Sequence, residues 1–226
     1  MYDIIFISYH EPNAEENFED LFSKFNSVGV FGDRVKRIKN IKGIHNAHLK
    51  AAELSNTSYF FVVDGDAQIV DDFDFSFTTD EKDVVHVYES KNPINDLVYG
   101  YGGVKLLPTQ LTLDMDLSST DMTTSISDKF KLINKVSNLT AFNTDPFNTW
   151  KSAFRECAKL ASKTIQGQID EETEQRLETW TTVGLDREFG KYALDGARAG
   201  MEFGLSRRND LQLINDFDWL RKQFND

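Results

Sequence analysis

The sequence predicts an α/β protein: a mostly parallel sheet flanked by helices, then a mainly helical C-terminal half. Three observations lead there. Tyr59 to Val63 is a continuous apolar run of aromatic and β-branched residues, the mark of a strand buried on both faces. Strand and helix patterns alternate through the first 70 residues as a βαβαβ unit, whose handedness rule makes the strands parallel neighbours with their carboxyl ends at one rim. Beyond Asp145 the apolar spacing is helical almost throughout.

The elements follow in order. Tyr2 to Ser8 reads as a buried strand, broken by Tyr9-His10-Glu11-Pro12-Asn13. Pro12 sits near the start of a helix with Phe18, Leu21, Phe22 and Phe25 as its apolar face. Gly29 to Gly32 is a turn, and Asp33 to Lys42 a short strand carrying Arg34, Lys36, Arg37, Lys39 and Lys42. Ile44, Ala47, His48, Ala51 and Leu54 mark the helix that leads into the Tyr59 strand, and Asp83 to Glu89 is a further strand. Val98 to Pro108, rich in glycine and tyrosine, suits either a loop approaching a ligand or a glycine-loosened edge hairpin. Residues 109–128 read as a long loop, and Ser137 to Phe142 as a strand. Asp145-Pro146 opens the clearest helix, with aspartate at the N-cap and proline at N1, burying Phe147, Trp150, Phe154, Cys157 and Ala161. Acids open another helix at Asp170; small residues from Gly190 to Gly204 imply a closely packed one; Leu213, Phe217, Leu220 and Phe224 make the tail amphipathic.

Composition bounds the function. The 226 residues hold 40% hydrophobic residues and 18 phenylalanines, enough for a packed interior. Basic side chains number 25 against 37 acidic, a net charge of −12 that repels nucleic acid on average. The single cysteine, Cys157, forms no intrachain disulfide and fits a reducing compartment. No apolar run approaches a membrane span, and the opening residues lack a basic n-region, so the expectation is a soluble, cytoplasmic protein without a membrane partner. Oligomeric state is left open.

The chemistry concentrates where the central strand ends. Asp64 and Asp66, separated by Gly65, stand at the rim where open α/β sheets bind ligands. Two such carboxylates suit Mn²⁺ or Mg²⁺, which in turn holds a diphosphate. A strand ending in an Asp-Gly turn accounts for the same spacing.

Beyond these residue-level readings, Ile7-Ser-Tyr-His-Glu-Pro after the first strand, Lys42-Gly-Ile-His-Asn-Ala-His before the acidic strand, and Val62-Val-Asp-Gly-Asp resemble, in that order, three segments of GT-A glycosyltransferases. The last is similar to their D-x-D motif. The segments Val98 to Pro108 and Phe142 to Glu156 resemble a small glycosyltransferase group of large tailed bacteriophages, some members of which are implicated in placing sugars on modified cytosines of phage DNA. The resemblance implies a GT-A-like (Rossmann-like) domain, with residues 1–108 binding the nucleotide sugar and 109–226 facing the acceptor. It implies transfer of a sugar from a nucleoside diphosphate, UDP favoured, to a hydroxyl, with hydroxymethyl- or hydroxycytosine in phage DNA as the acceptor and host cytoplasm as the location. Many of these enzymes use a late histidine as third metal ligand; here the last histidine is His86.

Roles are assigned accordingly. Asp66 and Asp64 take the metal, with Asp64 also turned towards the donor. Ser8, Tyr9, Glu11, Arg37, Lys42 and His45 line the donor side, although a solvated strand edge accounts for the two cations and a satisfied helix-start histidine for His45. Tyr101, Gly102, Gly103, Trp150, Lys151 and Arg155 face the acceptor, although the row Lys151, Arg155, Lys159, Lys163 also fits a solvated helix face. If the anomeric centre inverts, a carboxylate must accept the acceptor's proton: Asp145 first, whose N-cap role competes, then Asp121. A nucleotidyltransferase would use a similar sheet but carry a glycine-rich loop after the first strand, and Ser8 to Asn13 holds no glycine. A non-catalytic binding module on the same scaffold is the third reading.

Overall fold

The computed structural model describes residues 1–26, 34–100, 102–118, 122–164 and 168–226. They form two compact units, Met1–Lys91 with Val98–Ala141, and Asn92–Leu97 with Phe142–Asp226.

The first unit runs β1 (Asp3–Ser8), α1 (Ala14–Asn26), β2 (Val35–Lys39), α2 (Ile44–Leu54), β3 (Tyr59–Asp64), β4 (Ala67–Ile69), β5 (Val85–Lys91), β6 (Val98–Tyr99), β7 (Val104–Pro108), α3 (Thr109–Leu113), α4 (Met122–Ile126) and β8 (Phe130–Thr140). The strands form one sheet in the order β2-β1-β3-β7-β5-β8-β4, with β6 paired to β5. The expected βαβαβ unit is present: β1 lies between β2 and β3, parallel to both.

Past β3 the sheet departs from expectation. Among the described residues only β5–β8 adds a parallel pairing, whereas β3–β7, β5–β7, β5–β6 and β4–β8 are antiparallel. The sheet is therefore mixed, not mostly parallel. Val98 to Pro108 causes this. Its second half is no edge hairpin but the buried strand β7, which runs back between β3 and β5. Residues 109–128, expected as loop, contain α3 and α4, and β8 begins at Phe130, ahead of the expected Ser137.

Period-two alternation puts different cores on the two faces. Ile4, Phe6, Phe61 and Val63 meet Leu21 and Phe25 of α1. Ile5, Ile7, Phe60 and Val62 meet Ala47, Ala51 and Ala52 of α2. Phe22, expected on the buried face of α1, is exposed.

The second unit holds α5 (Pro146–Ser162), α6 (Asp170–Thr182), α7 (Gly190–Ser206), a 3-10 helix (Arg208–Asn215) and α8 (Phe217–Asn225). Asp145 caps α5, its Oδ1 accepting from the Asn148 N–H at 2.8 Å. Gly196, Gly200 and Gly204 share one face of α7. A β-carbon at any of them would clash with the carbonyl oxygen of Trp150, Phe154 or Ala158, so small residues allow α7 its close approach to α5. Trp150, Phe154, Phe203, Leu211, Ile214 and Leu220 pack as the core of this unit. Among the described residues no helix is long and apolar enough to cross a membrane.

Candidate active site at the end of the acidic strand

The acidic turn is built from the inside of the sheet outwards. In register, Asp64 lies opposite Ile7 at the carboxyl ends of β3 and β1, and its N–H donates to the Gly103 carbonyl at 2.9 Å. Residues 65 and 66 turn the chain into β4. Asn17 of α1 donates to the Gly65 carbonyl at 2.9 Å, and the Asp66 carbonyl accepts from the Ala141 N–H at 2.7 Å. Asn13 donates to the Ala141 carbonyl at 2.8 Å. The turn is thus anchored to α1 on one side and to the chain leaving β8 on the other.

The loop after β1 closes onto this turn. Glu11 Oε2 accepts the Tyr9 N–H at 2.6 Å, and a β-carbon on Gly65 would lie 2.5 Å from that oxygen and 3.1 Å from Ser8 Cβ. Glycine at 65 is what permits the two loops to touch. Glu11, Asp64 and Asp66 are in this way brought to one rim.

Behind Asp64 stands a residue that the sequence reading passed over. Lys105 of β7 is buried, pairs in register with Val62 and Val87, and shares the α2 face with Asp64. Its ammonium donates to the Gly102 carbonyl and lies 3.5 Å from Asp64 Oδ2. His48 of α2, also buried, faces the same charges. The Ile44 carbonyl can only accept, so His48 Nδ1 carries the proton at 2.8 Å, and the buried Nε2 has no partner. Burial first, then the Lys105 charge, pushes the His48 pKa down to about 4, so the ring is neutral at pH 7. A lone lysine inside the apolar run Val104 to Leu107, and a histidine on the apolar face of a helix, were the available signals.

The other expected residues fall as follows. Ser8 is buried, and its Oγ reaches the Ile38 carbonyl at 3.5 Å. Arg37 lies on the opposite face from Asp64. Its guanidinium stands 4.7 Å over the Phe18 ring and donates to Glu15 Oε1 at 2.8 Å, so it is a packed pin and not a solvated edge. Lys42 is exposed, and His45 is half-buried with Nε2 unpartnered. Gly102 and Gly103 are buried, the first beside Lys105 and the second against Asn138. In the second unit Trp150 stacks on Phe154 at 4.8 Å within the core. Lys151 covers the Phe217 ring at 4.6 Å, and Arg155 donates to the Ile214 carbonyl at 2.8 Å, so both tie helices together. Asp145 uses both carboxylate oxygens on Asn148. Tyr101 and Asp121 lie outside the described residues.

Among the described residues no group of three or more His, Cys, Asp or Glu side chains is disposed to hold a metal. Asp64 and Asp66 are nonetheless hard oxygen donors of the kind Mg²⁺ and Mn²⁺ prefer, with water and a diphosphate able to complete the shell. A cavity of about 190 Å³ between Phe73, Phe75, Phe77, Tyr88 and Ile133 is lined by none of the expected site residues.

The fold and the site together define an α/β protein with a mixed sheet and an acidic turn at the carboxyl end of a central strand. No family model and no curated protein matches the chain. Solved structures similar to part of it include the following two. One is a glycosyltransferase involved in glycosylation of the major capsid of PBCV-1, at 11% identity and TM-score 0.38, covering 58% of this chain and 82% of that one. The other is the bifunctional IspDF from Campylobacter jejuni, at 15% identity and TM-score 0.34, covering 63% of this chain and 52% of that one.

Proposed function

We propose that the chain is a glycosyltransferase that moves a sugar from a nucleoside diphosphate to a hydroxyl acceptor. The observation that carries this reading is the Asp64-Gly65-Asp66 turn at the carboxyl end of β3, closed by Glu11 from the loop after β1. The ordered resemblance of the segments at Ile7, Lys42 and Val62 supports it. In this reading residues 1–108 bind the donor and 109–226 meet the acceptor.

The difficult step is departure of the nucleoside diphosphate, which leaves with growing negative charge. Mn²⁺ or Mg²⁺ on Asp66 and Asp64, when bound, supplies Lewis-acid neutralisation of that charge. The chain's own contribution is to hold the rim. Asn17, Asn13 and the Gly103 carbonyl fix the turn's backbone, and Tyr9, Glu11, Lys42 and His45 are the side chains for the base and phosphates. Asp121 or Asp145 takes the acceptor's proton if configuration inverts. A hydroxylated cytosine in DNA is the acceptor that the resemblance of the later segments favours.

Thermal unfolding with UDP or GDP, with and without Mn²⁺, tests the donor site. Metal-dependent stabilisation by a nucleoside diphosphate is expected, and Asp66→Ala should remove the metal-dependent part while the protein stays folded. An unchanged response in Asp66→Ala removes Asp66 from the site.

A further inference from the structure

The segment after β4 turns alternate side chains inwards: Phe73 and Phe75 are buried and Phe77 is half-buried, while Asp74 and Ser76 between them are exposed. The three rings, with Tyr88 of β5 and Ile133 of β8, wall a cavity of about 190 Å³. Phe73 meets Phe75 edge-on at 4.7 Å and Tyr88 edge-on at 5.0 Å between centroids, so the walls are stiff as well as apolar. The exposed polar groups beside the cavity are engaged with one another. Ser76 donates to Asp74 through its N–H at 3.2 Å and its hydroxyl at 2.9 Å, and the Lys135 ammonium lies 3.6 Å from Asp74 and 5.3 Å over the Phe73 ring. Tyr88 differs. It is 1% exposed, and its hydroxyl has no hydrogen-bond partner among the described residues. Burial first, then the Asp74 charge, pushes its pKa up, so the phenol keeps its proton and remains a donor.

A buried hydroxyl without a partner is costly, and native proteins rarely keep one. Water suits this place poorly, because an ordered water needs about two to four polar partners. The only polar side chain in the walls is Tyr88. A ring suits it well, since roughly 150 Å³ among aliphatic and aromatic side chains holds benzene. A carboxylate does not, because it would lose its hydration against the rings and meet Asp74 at the mouth. We infer that this cavity binds a small neutral aromatic molecule, its ring held among Phe73, Phe75, Phe77 and Ile133 and its one hydroxyl or carbonyl oxygen bonded to the Tyr88 hydroxyl. The cavity shares no residue with the acidic turn, so its occupancy is independent of the donor-site reading.

Calorimetric titration of the full chain with phenol, toluene and benzoate, with thermal unfolding alongside, tests this. Phenol should bind with a Kd of about 1 mM or tighter and raise the unfolding midpoint, and benzoate should bind at least roughly tenfold more weakly than phenol. Tyr88→Phe removes an oxygen without a partner, so it should fold at least as stably as the parent. It should weaken phenol roughly fivefold and leave toluene within about twofold. Ile133→Trp, at a half-buried wall position, should abolish binding of both by filling the space. The inference is overturned if phenol binds Tyr88→Phe as tightly as the parent, if benzoate matches phenol, or if a folded Ile133→Trp protein still binds. Failure of phenol to bind up to about 10 mM also overturns it and leaves a cavity that takes water only. Tyr88→Phe decides the matter even if Ile133→Trp does not fold.

Discussion

His48 is held neutral between α2 and the sheet, with a pKa of about 4 against an ordinary 6.5. Between those two values the unfolded chain takes up a proton that the folded chain refuses. The folded state is therefore unpenalised above pH 6.5 and loses stability as the pH falls towards 4, by about 3 kcal/mol in all. His86, pushed down chiefly by burial, adds in the same sense. Urea unfolding at pH 7 and pH 4.5 checks this, and a His48→Gln variant should show a shallower acid limb. Lys105 and His48 also show what single positions conceal in a sequence. Each stands out as a polar residue in an apolar run or face, but only burial beside Asp64 gives it an electrostatic role.

At the scale of the element, Asp145 has a structural duty that is separable from chemistry. Its side chain satisfies the first turn of α5, so Asp145→Ala should cost about 1 kcal/mol, measurable by denaturant titration. Asp145→Ser should restore most of that loss, because serine caps equally well. If Asp145 is also the base, transfer activity fails in both variants; if its role is only the cap, activity in Asp145→Ser stays near that of the parent. Local signals of this kind were readable: the cap and proline of α5, the acids opening α6, and the βαβαβ alternation all lie within short windows. The direction of β7 was not. Its run Val104 to Leu107 is too short to show orientation, and the glycines ahead of it suggested an edge. Long-range pairing with β3 and β5 settled it.

At the scale of the whole molecule, the net charge of −12 and the use made of the basic block bear on the acceptor. Lys36 pairs with Asp3 at 2.9 Å, and Arg37 and Lys39 both pair with Glu15, at 2.8 and 3.1 Å. Lys151 and Arg155 are engaged within their own unit. Charges spent internally release no counter-ions from a phosphate backbone. Fluorescence anisotropy with an unmodified duplex at 150 mM salt should therefore show affinity no tighter than about 10⁻⁴ M. Tight, steeply salt-dependent binding would mean that these pairs open on contact with DNA.

The sequence by itself determined the parallel first half of the sheet, the helical second half and the acidic pair at a strand's end. Each follows from periodicity or turn chemistry among neighbouring residues. Only the tertiary structure decided that the sheet is mixed, that Glu11 closes on Gly65, and that Lys105 stands behind Asp64. Glu11 and Gly65 are about 54 positions apart and Lys105 and Asp64 about 41, and which distant strand lies beside which is decided by burying the whole chain's apolar surface at once.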